Sequence, residues 1–331
     1  MEIGLVVDPR LGRSWPEALD LAVRNGITHI EPAGGGHVPT TYLDPHELSA
    51  NAEALASFAQ SVTSRGLTIS ALGCYGNPLH PDAVRAEAAH SDLVAMCDVA
   101  SKLGVARITV ISGVPSGGPS DRVPNWIIPS IYADFEEVYR WQWEEKLIPY
   151  WREACAIAKD YGITLCMEPL GGFMVYNAQT FLRLREVCGE KLCVNVDPSH
   201  LWWMGIDPLI FIDQLRGAIG HAHAKDARLD PRRVAHDGVV PACRYDDWDQ
   251  RSWTYKAIGF GHAETFWRDF FTSLRRNGYD DVVAIEIEES FMTVDEALEK
   301  SVDVVRRAAP RAPIPSENWF DKYEWSPASI E

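Results

Sequence analysis

The feature that most constrains the fold of this 331-residue chain is an alternation of short apolar segments with longer stretches of helical spacing. The apolar segments span residues 3–7, 27–31, 67–72, 106–111, 163–167, 192–196, 218–224 and 281–285. Alternation of this kind is typical of a parallel sheet whose strands are connected by helices, and eight units favour closure into a barrel. The sequence therefore predicts an α/β fold of the (β/α)8 TIM barrel type.

A doubly wound open sheet is the alternative for the same alternation. That fold usually carries a G-x-G-x-x-G turn after its first strand, where the backbone binds phosphate. The corresponding turn here, Asp8-Pro-Arg-Leu-Gly12, does not fit that pattern. We therefore expect residues 1–309 to form a single barrel domain. Residues 310–331, with prolines at positions 310, 313, 315 and 327, are expected to form an extended tail.

Two long loops interrupt the regular alternation. The first, from Ser112 to about Asp134, is rich in glycine, proline and serine, and the second spans residues 228–261. Loops of this length in a compact domain are usually functional, so we expect the first to cover an active site. Long helices are predicted at 47–65 and 135–161, the second with a break near Pro149.

The composition excludes several classes of function. A formal net charge of −16 disfavours nucleic acid and anionic membrane as partners, because both repel an acidic surface. We find no apolar run long enough for a membrane span and no secretory signal, and we expect a cytoplasmic protein. The seven cysteines include no C-x-x-C pair, which indicates reduced thiols.

Four consecutive strand segments end on groups that can bind a metal ion. These groups are Glu168, Asp197, His223 and Glu286. The carboxyl ends of barrel strands converge on one face, where active sites of this fold lie. Two Glu, one Asp and one His suit a divalent cation, and the weight of carboxylate favours Mn²⁺, with Mg²⁺, Co²⁺ or Zn²⁺ as alternatives.

Each of these residues also has a structural interpretation. An Asp before Pro is often a turn residue, a Glu can be a salt-bridge partner, and a lone His on an apolar strand is commonly a satisfied interior side chain. It is the joint occurrence at four strand ends that favours a metal site. His221 has the same strand parity as His223, and we choose His223 because it lies nearest the strand end; Glu288 has the same parity as Glu286, so that ligand could be displaced by two positions.

Several motifs resemble those of a known family. They are Gly76-Asn-Pro-Leu-His-Pro81, the run from Pro149 to Glu168, Val175-Tyr-Asn177, Asp197-Pro-Ser-His-Leu201, His223-Ala-Lys-Asp226, Gly259-Phe-Gly-His262 and Ile285-Glu-Ile-Glu-Glu289. Over about residues 3–308 the chain resembles the sugar phosphate isomerase/epimerase superfamily with a xylose-isomerase-like barrel. The resemblance implies that Glu168, Asp197, His223 and Glu286 are metal ligands. It also implies that the two Glu act as acid and base, and that His200 contacts a substrate oxygen.

The larger subunits of C-glycoside deglycosidases, within the same superfamily, are similar in size, tryptophan content and barrel pattern. That resemblance implies a 3-oxo-glucosyl substrate and a small β-sandwich partner subunit. If the protein is not a deglycosidase subunit, we expect it to form a homo-oligomer. In either case the expected ligand is a small-molecule sugar or glycoside, with no nucleic acid and no membrane.

Two reactions fit such a site. A metal-dependent isomerase or epimerase would remove a proton next to a sugar carbonyl and form an enediolate. A C-glycoside deglycosidase would use the same proton abstraction on a 3-oxo-glucoside and expel the aglycone by β-elimination. We predict substrate contacts at His37, His80, Trp126, Lys225 and His262, with His200 catalytic. The histidines among them are candidate bases beside the metal, and Trp15, Trp126, Trp202, Trp203 and Trp253 are candidate flat walls for a sugar ring.

Two further functions are disfavoured. A phosphodiesterase like endonuclease IV needs three metal ions and a basic groove, which conflicts with the net charge of −16. A barrel that only binds a sugar would not need the complete set of four candidate metal ligands.

Overall fold

The computed structural model describes residues 1–240, 242–312 and 314, and within them eight parallel strands close into a barrel. The strands are β1 (Glu2–Val7), β2 (His29–Gly36), β3 (Thr68–Ile69), β4 (Leu72–Tyr75), β5 (Arg107–Val110), β6 (Thr164–Met167), β7 (Leu192–Val196), β8 (Ile219–Ala224), β9 (Asp226–Leu229), β10 (Trp253–Lys256) and β11 (Val282–Ile285). The barrel order is β1-β2-β4-β5-β6-β7-β8-β11, and β1 closes it by pairing with both β2 and β11. The short β3 pairs with β2 just before β4 begins. The predicted (β/α)8 barrel is confirmed.

Helices surround the barrel. They are α1 (Trp15–Arg24), α2 (Pro45–Ala50), α3 (Ala52–Thr63), α4 (Ala83–Leu103), α5 (Ala133–Trp141), α6 (Ile148–Asp160), α7 (Ala178–Cys188), α8 (Ser199–Trp202), α9 (Pro208–Gln214), α10 (Pro231–Asp237), α11 (Glu264–Arg276) and α12 (Val294–Ala308). Helix α1 begins as the sequence predicts, with Ser14 and Glu17 forming a capping box. Helix α11 buries Trp267, Phe270, Phe271 and Leu274, an i, i+3, i+4, i+7 spacing that places one apolar stripe against the barrel.

Two predicted helices are interrupted. The predicted helix 47–65 breaks at Asn51, whose extended backbone and side-chain hydrogen bonds to Glu53 and Ala54 make it the N-cap of α3. The predicted helix 135–161 contains a π-helical turn, Gln142–Leu147, between α5 and α6. Pro149 is the second residue of α6, and because proline has no N–H to continue the α-helical pattern, the turn before it widens.

The prediction that residues 228–261 form a long loop was partly wrong. Strand β9 pairs antiparallel with β10, in the register Trp253↔Leu229 to Lys256↔Asp226, and α10 lies between them. Alternation in Trp253-Thr-Tyr-Lys256 was the missed signal, since its side chains are buried and half-buried in turn.

Two other expectations concern the chain as a whole. Among the described residues, no helix is long and apolar enough to cross a membrane. Most of the predicted tail, including Pro313, Pro315 and Pro327, lies outside the described residues, so the domain limits of 1–309 and 310–331 stay predictions.

Candidate metal centre and active site

Four consecutive strands of the barrel direct potential metal ligands to one point. Glu168 follows β6, Asp197 follows β7 and Glu286 follows β11. His223 is the penultimate residue of β8. One ligand atom from each of the four lies within 4.8 Å of the others, and all four residues are at most 8% exposed. His223 Nδ1 lies 3.0 Å from Glu168 Oε2 and 3.4 Å from Glu286 Oε2.

The donor set fits a divalent cation. Asp197 Oδ1 accepts a hydrogen bond from the Ser199 backbone N–H at 2.8 Å, which fixes the carboxylate. Asp197 Oδ2 is buried and makes no hydrogen bond with the described residues, although His200 Nε2 lies 3.3 Å from it. A buried carboxylate oxygen without a partner is costly unless a cation meets it. Three carboxylates and one imidazole are ligands that Mn²⁺, Zn²⁺ and related divalent ions accept.

Glu31, on β2, lies below this cluster and orients His223. Its Oε2 is 2.9 Å from His223 Nε2 and 2.8 Å from His221 Nε2. Its Oε1 accepts hydrogen bonds from Thr109 Oγ1 at 2.6 Å and Tyr75 OH at 3.1 Å. Burial would raise the pKa of Glu31, but the two histidines outweigh burial and hold that pKa below its usual range. With Nε2 engaged by Glu31, the Nδ1 of His223 faces Glu168 and Glu286.

The structure also places the alternative residue His221 in the interior, as a second partner of Glu31. Glu31, His221 and His223 come close enough to form a three-ligand group of their own. Because both oxygens of Glu31 are already engaged by protein donors, this group is suited to positioning His223 rather than to holding a second ion. Glu31 was missed as a functional residue, although a charged side chain inside an apolar strand was the available signal.

Glu286 is held by two cations at the rim. Lys225 Nζ and Arg10 Nη2 each lie 3.2 Å from Glu286 Oε1. Burial would raise the pKa of Glu286, but Lys225, His223 and Arg10 keep it well below its usual range. Glu288, the alternative ligand, binds Lys225 at 3.1 Å and also pairs with Arg10. It therefore lies beside the cluster and not in it.

His200 lies on the short helix α8 and contacts the cluster at Glu168 and Asp197. Its Nε2 is 3.0 Å from Glu168 Oε1 and 3.3 Å from Asp197 Oδ2, and its Nδ1 is 3.1 Å from Tyr255 OH. Burial would lower the pKa of His200, but Asp197 and Glu168 raise it. Burial would likewise raise the pKa of Glu168, but hydrogen bonds from His200 and His223 lower it to about 2.

A cavity of about 350 Å³ opens onto this cluster, and a second of about 650 Å³ adjoins it. Of the predicted substrate contacts, Lys225 and His37 line the first cavity. His37, His80 and Trp126 line the second. The roles of these residues stay predictions, but the structure brings all four to the same mouth of the barrel.

His262, predicted as a substrate contact, lines neither of these cavities. Its Nδ1 is 2.9 Å from Asp226 Oδ1, and its ring stacks on Trp202 at 3.7 Å between centroids. Asp226 Oδ2 also accepts backbone N–H groups from Gly259, Gly261 and His262, each at 3.0 Å. At Gly261 a Cβ atom would lie 2.3 Å from the Ala227 carbonyl oxygen, which explains the glycine. The motif Gly259-Phe-Gly-His262 is thus a loop anchored on Asp226.

Replacing His262 with Ala is therefore expected to lower stability without changing KM. The variant loses a hydrogen bond to a buried carboxylate, worth about 1.5–3 kcal/mol, and the stack on Trp202. Thermal unfolding would show a lower Tm than wild type. An increase in KM with an unchanged Tm would contradict this expectation and support the predicted substrate contact.

Most of the predicted tryptophan walls pack against other rings instead. Trp203 and Trp253 stack on each other at 4.9 Å, and Trp15 stacks on Phe58 at 5.0 Å. Trp126 is the member of that predicted set that lines the second cavity. Sequence alone cannot distinguish a tryptophan that packs against other rings from one that lines a binding cavity, because both roles need a flat apolar ring.

Metal binding is expected to release protons, so that affinity rises with pH. Burial would lower the pKa of His223, but Glu31, Glu168 and Glu286 raise it well above its usual value. A metal-bound imidazole must be neutral at the ligating nitrogen, so a cation has to displace that proton. Calorimetric titration with Mn²⁺ in two buffers of different ionisation enthalpy counts the protons released. An affinity that does not change with pH would contradict this account of His223.

The comparison with known proteins identifies the class. The model of the family described as "Xylose isomerase-like TIM barrel" matches residues 19–308. The chain belongs to this family. Among individual relatives, it is 33% identical over 316 residues to uncharacterized protein YfiH of Bacillus subtilis (strain 168), which covers 93% of this chain and 99% of the relative.

Solved structures share the fold at low sequence identity. The 3-keto-D-glucoside 4-epimerase YcjR from E. coli, in its apo form, superimposes with a TM-score of 0.63 at 15% identity, covering 93% of this chain and 99% of that one. The IolI protein with a bound zinc atom superimposes with a TM-score of 0.62 at 17% identity, with the same two coverages. Structural neighbours of the chain thus include a sugar epimerase and a zinc-binding barrel.

Proposed function

We propose that this protein is a divalent-metal-dependent sugar isomerase or epimerase that moves a proton on the carbon next to a carbonyl group. The observation that carries the proposal is the convergence of Glu168, Asp197, His223 and Glu286 beside a cavity that the two Glu line, with one buried oxygen of Asp197 that makes no hydrogen bond with the described residues. The family, the printed activity of YcjR and the zinc bound by IolI support it.

The four residues would hold the cation, with Mn²⁺ favoured by the excess of carboxylate. A divalent ion at this place would polarise the sugar carbonyl and acidify the neighbouring C–H. Glu168 and Glu286 line the cavity from strands that are separated by β7 and β8. One carboxylate can therefore remove a proton and the other return one, at a different face or carbon of the enediolate.

Other residues of the cavity would bind and orient the sugar. His200 and Lys225 carry N–H groups beside the two Glu and can donate to substrate oxygens. Tyr255 fixes the His200 ring through Nδ1. Arg10 and Lys225 are already paired with Glu286 and Glu288, which favours an uncharged sugar over a sugar phosphate.

The test is deuterium exchange in D₂O, followed by NMR. Protein loaded with Mn²⁺ is incubated with D-fructose, D-tagatose and methyl 3-oxo-β-D-glucoside. The proposal expects loss of the proton signal next to the carbonyl in at least one compound, and loss of that exchange after chelation. No exchange with any of them at millimolar concentration would count against this function.

Two histidines in the cavity at the cluster favour β-elimination as a second candidate. If the substrate is a 3-oxo-glucoside, the same proton abstraction at C2 breaks the bond at C1, and the electron pair leaves with the aglycone. His37 and His200, two of the predicted bases, line the cavity at the cluster. Chromatography for free aglycone after incubation with an aryl 3-oxo-glucoside distinguishes elimination from epimerisation.

A further inference from the structure

The cavity at the metal cluster and the second, larger cavity lie side by side. His37, Tyr75, Ile111 and Phe173 line both, so a ligand with two rings can extend from one toward the other past these four side chains. We propose that the substrate is a glycoside with at least two rings, in which the reacting sugar lies at the cluster and the second ring lies in the second cavity. This inference rests on the proposed function and specifies its class of substrate.

The walls of the second cavity suit a ring with an apolar face and a polar edge. Trp126, Phe173 and Tyr75 supply aromatic surface, which packs well against the C–H face of a sugar or against an aryl ring. His80 and Arg85 also line this cavity and supply hydrogen-bond donors. Apolar walls with a few placed polar groups are the usual composition of a ligand pocket.

The donor of His80 is defined by a local contact. Its Nδ1 accepts a hydrogen bond from the Asp82 backbone N–H at 2.9 Å. The ring proton of a neutral His80 therefore lies on Nε2, free to donate to a ligand oxygen. Arg85 is exposed, and its guanidinium makes no ion pair with the described residues.

Two other polar residues of the cavity serve the scaffold. Asn77 Oδ1 accepts from the backbone N–H groups of Leu79 and Val114, and its Nδ2 donates to the Val114 carbonyl. Asp92 Oδ2 accepts from the Gly36 N–H at 2.8 Å, next to His37. Because these groups are already engaged, His80 and Arg85, with His37 at the boundary of the two cavities, are the polar side chains of this lining that can select a ligand.

Trp126 is held in place by the π-helical turn. Gln142, fully buried, donates from Nε2 to the carbonyl oxygens of Ser116 at 2.8 Å and Asn125 at 2.7 Å. The Trp126 ring packs edge-on against Tyr176 at 5.4 Å. The long loop predicted to cover an active site is therefore tied down immediately before Trp126, which makes this aromatic wall preformed. Preformed walls reduce the entropy lost on binding.

The test compares 3-oxo-cellobiose and phenyl 3-oxo-β-D-glucoside with methyl 3-oxo-β-D-glucoside as substrates for deuterium exchange. We expect kcat/KM for at least one two-ring compound to exceed that for the methyl glucoside by about tenfold or more, which corresponds to one ring contact of moderate strength. Replacing Trp126 with Ala should collapse this ratio toward one. Trp15→Ala, at a similarly half-buried tryptophan that stacks on Phe58 and lines neither cavity, should leave the ratio as in wild type.

The outcomes separate the two proposals. Equal kcat/KM for all three compounds would overturn the subsite while leaving the proposed function in place. If none of them exchanges, the proposed function fails, and binding of the unreactive methyl β-cellobioside decides the subsite alone. Saturation transfer from the protein to its second ring, lost in Trp126→Ala, would support the subsite; equal transfer in wild type and variant would overturn it. The two-ring compound with the higher kcat/KM shows whether the second cavity prefers a sugar or an aryl group.

Discussion

Replacing Glu168 with Gln is expected to abolish measurable exchange of substrate protons with D₂O. Glu168 lies at the floor of the cavity, and His200 and His223 keep its pKa at about 2, so it is present as a carboxylate base at neutral pH. Glutamine has nearly the same shape but cannot accept the proton. Removal of a general base lowers rates by about 10²–10⁴-fold, and loss of a metal ligand adds to this. The measurement is the rate of deuterium incorporation by NMR at saturating substrate.

The same reasoning applies to Glu286→Gln, from the other side of the cluster. A matched control is Glu299→Gln, at an exposed position on α12, which should exchange at the wild-type rate. Circular dichroism of each variant shows whether the barrel is intact. Undiminished exchange in a folded, metal-loaded Glu168→Gln would remove proton abstraction by this residue from the mechanism.

The second large effect is expected from Glu31→Gln, although Glu31 does not reach the cavity at the cluster. Glu31 accepts hydrogen bonds from Thr109 and Tyr75 and pairs with His221 and His223, all in the interior. An amide turns N–H groups toward at least one of these donors, and each buried donor without a partner costs about 1–3 kcal/mol. Loss of a carboxylate behind a metal-binding histidine lowers metal affinity by about 10–100-fold.

Two measurements test the Glu31→Gln variant. Thermal unfolding of the metal-free protein reports the loss of stability, and calorimetric titration with Mn²⁺ reports the loss of metal affinity. Thr109→Val removes one of the same hydrogen bonds and keeps the carboxylate. It should cost about 1 kcal/mol of stability and have a much smaller effect on metal affinity. Wild-type affinity for Mn²⁺ in Glu31→Gln would contradict the role assigned to Glu31 in orienting His223.

The barrel and its cluster could be predicted because their signals are local. Strand ends such as Val194-Asn-Val-Asp197 combine a buried run with a ligand, and the fold rule brings all strand ends to one face. The same rule could not separate His221 from His223, because both point into the barrel. The structure distinguishes them by the ring atoms that face Glu31 and Glu168.

What the sequence could not supply is contact between distant residues. The pairing of Glu31 with His221 spans 190 positions, and the stack of Trp202 on His262 depends on two loops meeting. Whether a histidine binds substrate or anchors a loop depends on such contacts. The contacts of His262 could not be predicted for that reason, and the position of Trp126 depends on the hydrogen bonds of a single buried glutamine, Gln142.

Anomalous X-ray diffraction from crystals soaked in Mn²⁺ tests the central claim most directly. The account predicts one strong peak within bonding distance of Glu168, Asp197, His223 and Glu286, and its loss in Asp197→Ala. A structure in which these four side chains surround no peak, while Mn²⁺ is bound elsewhere or not at all, would contradict it.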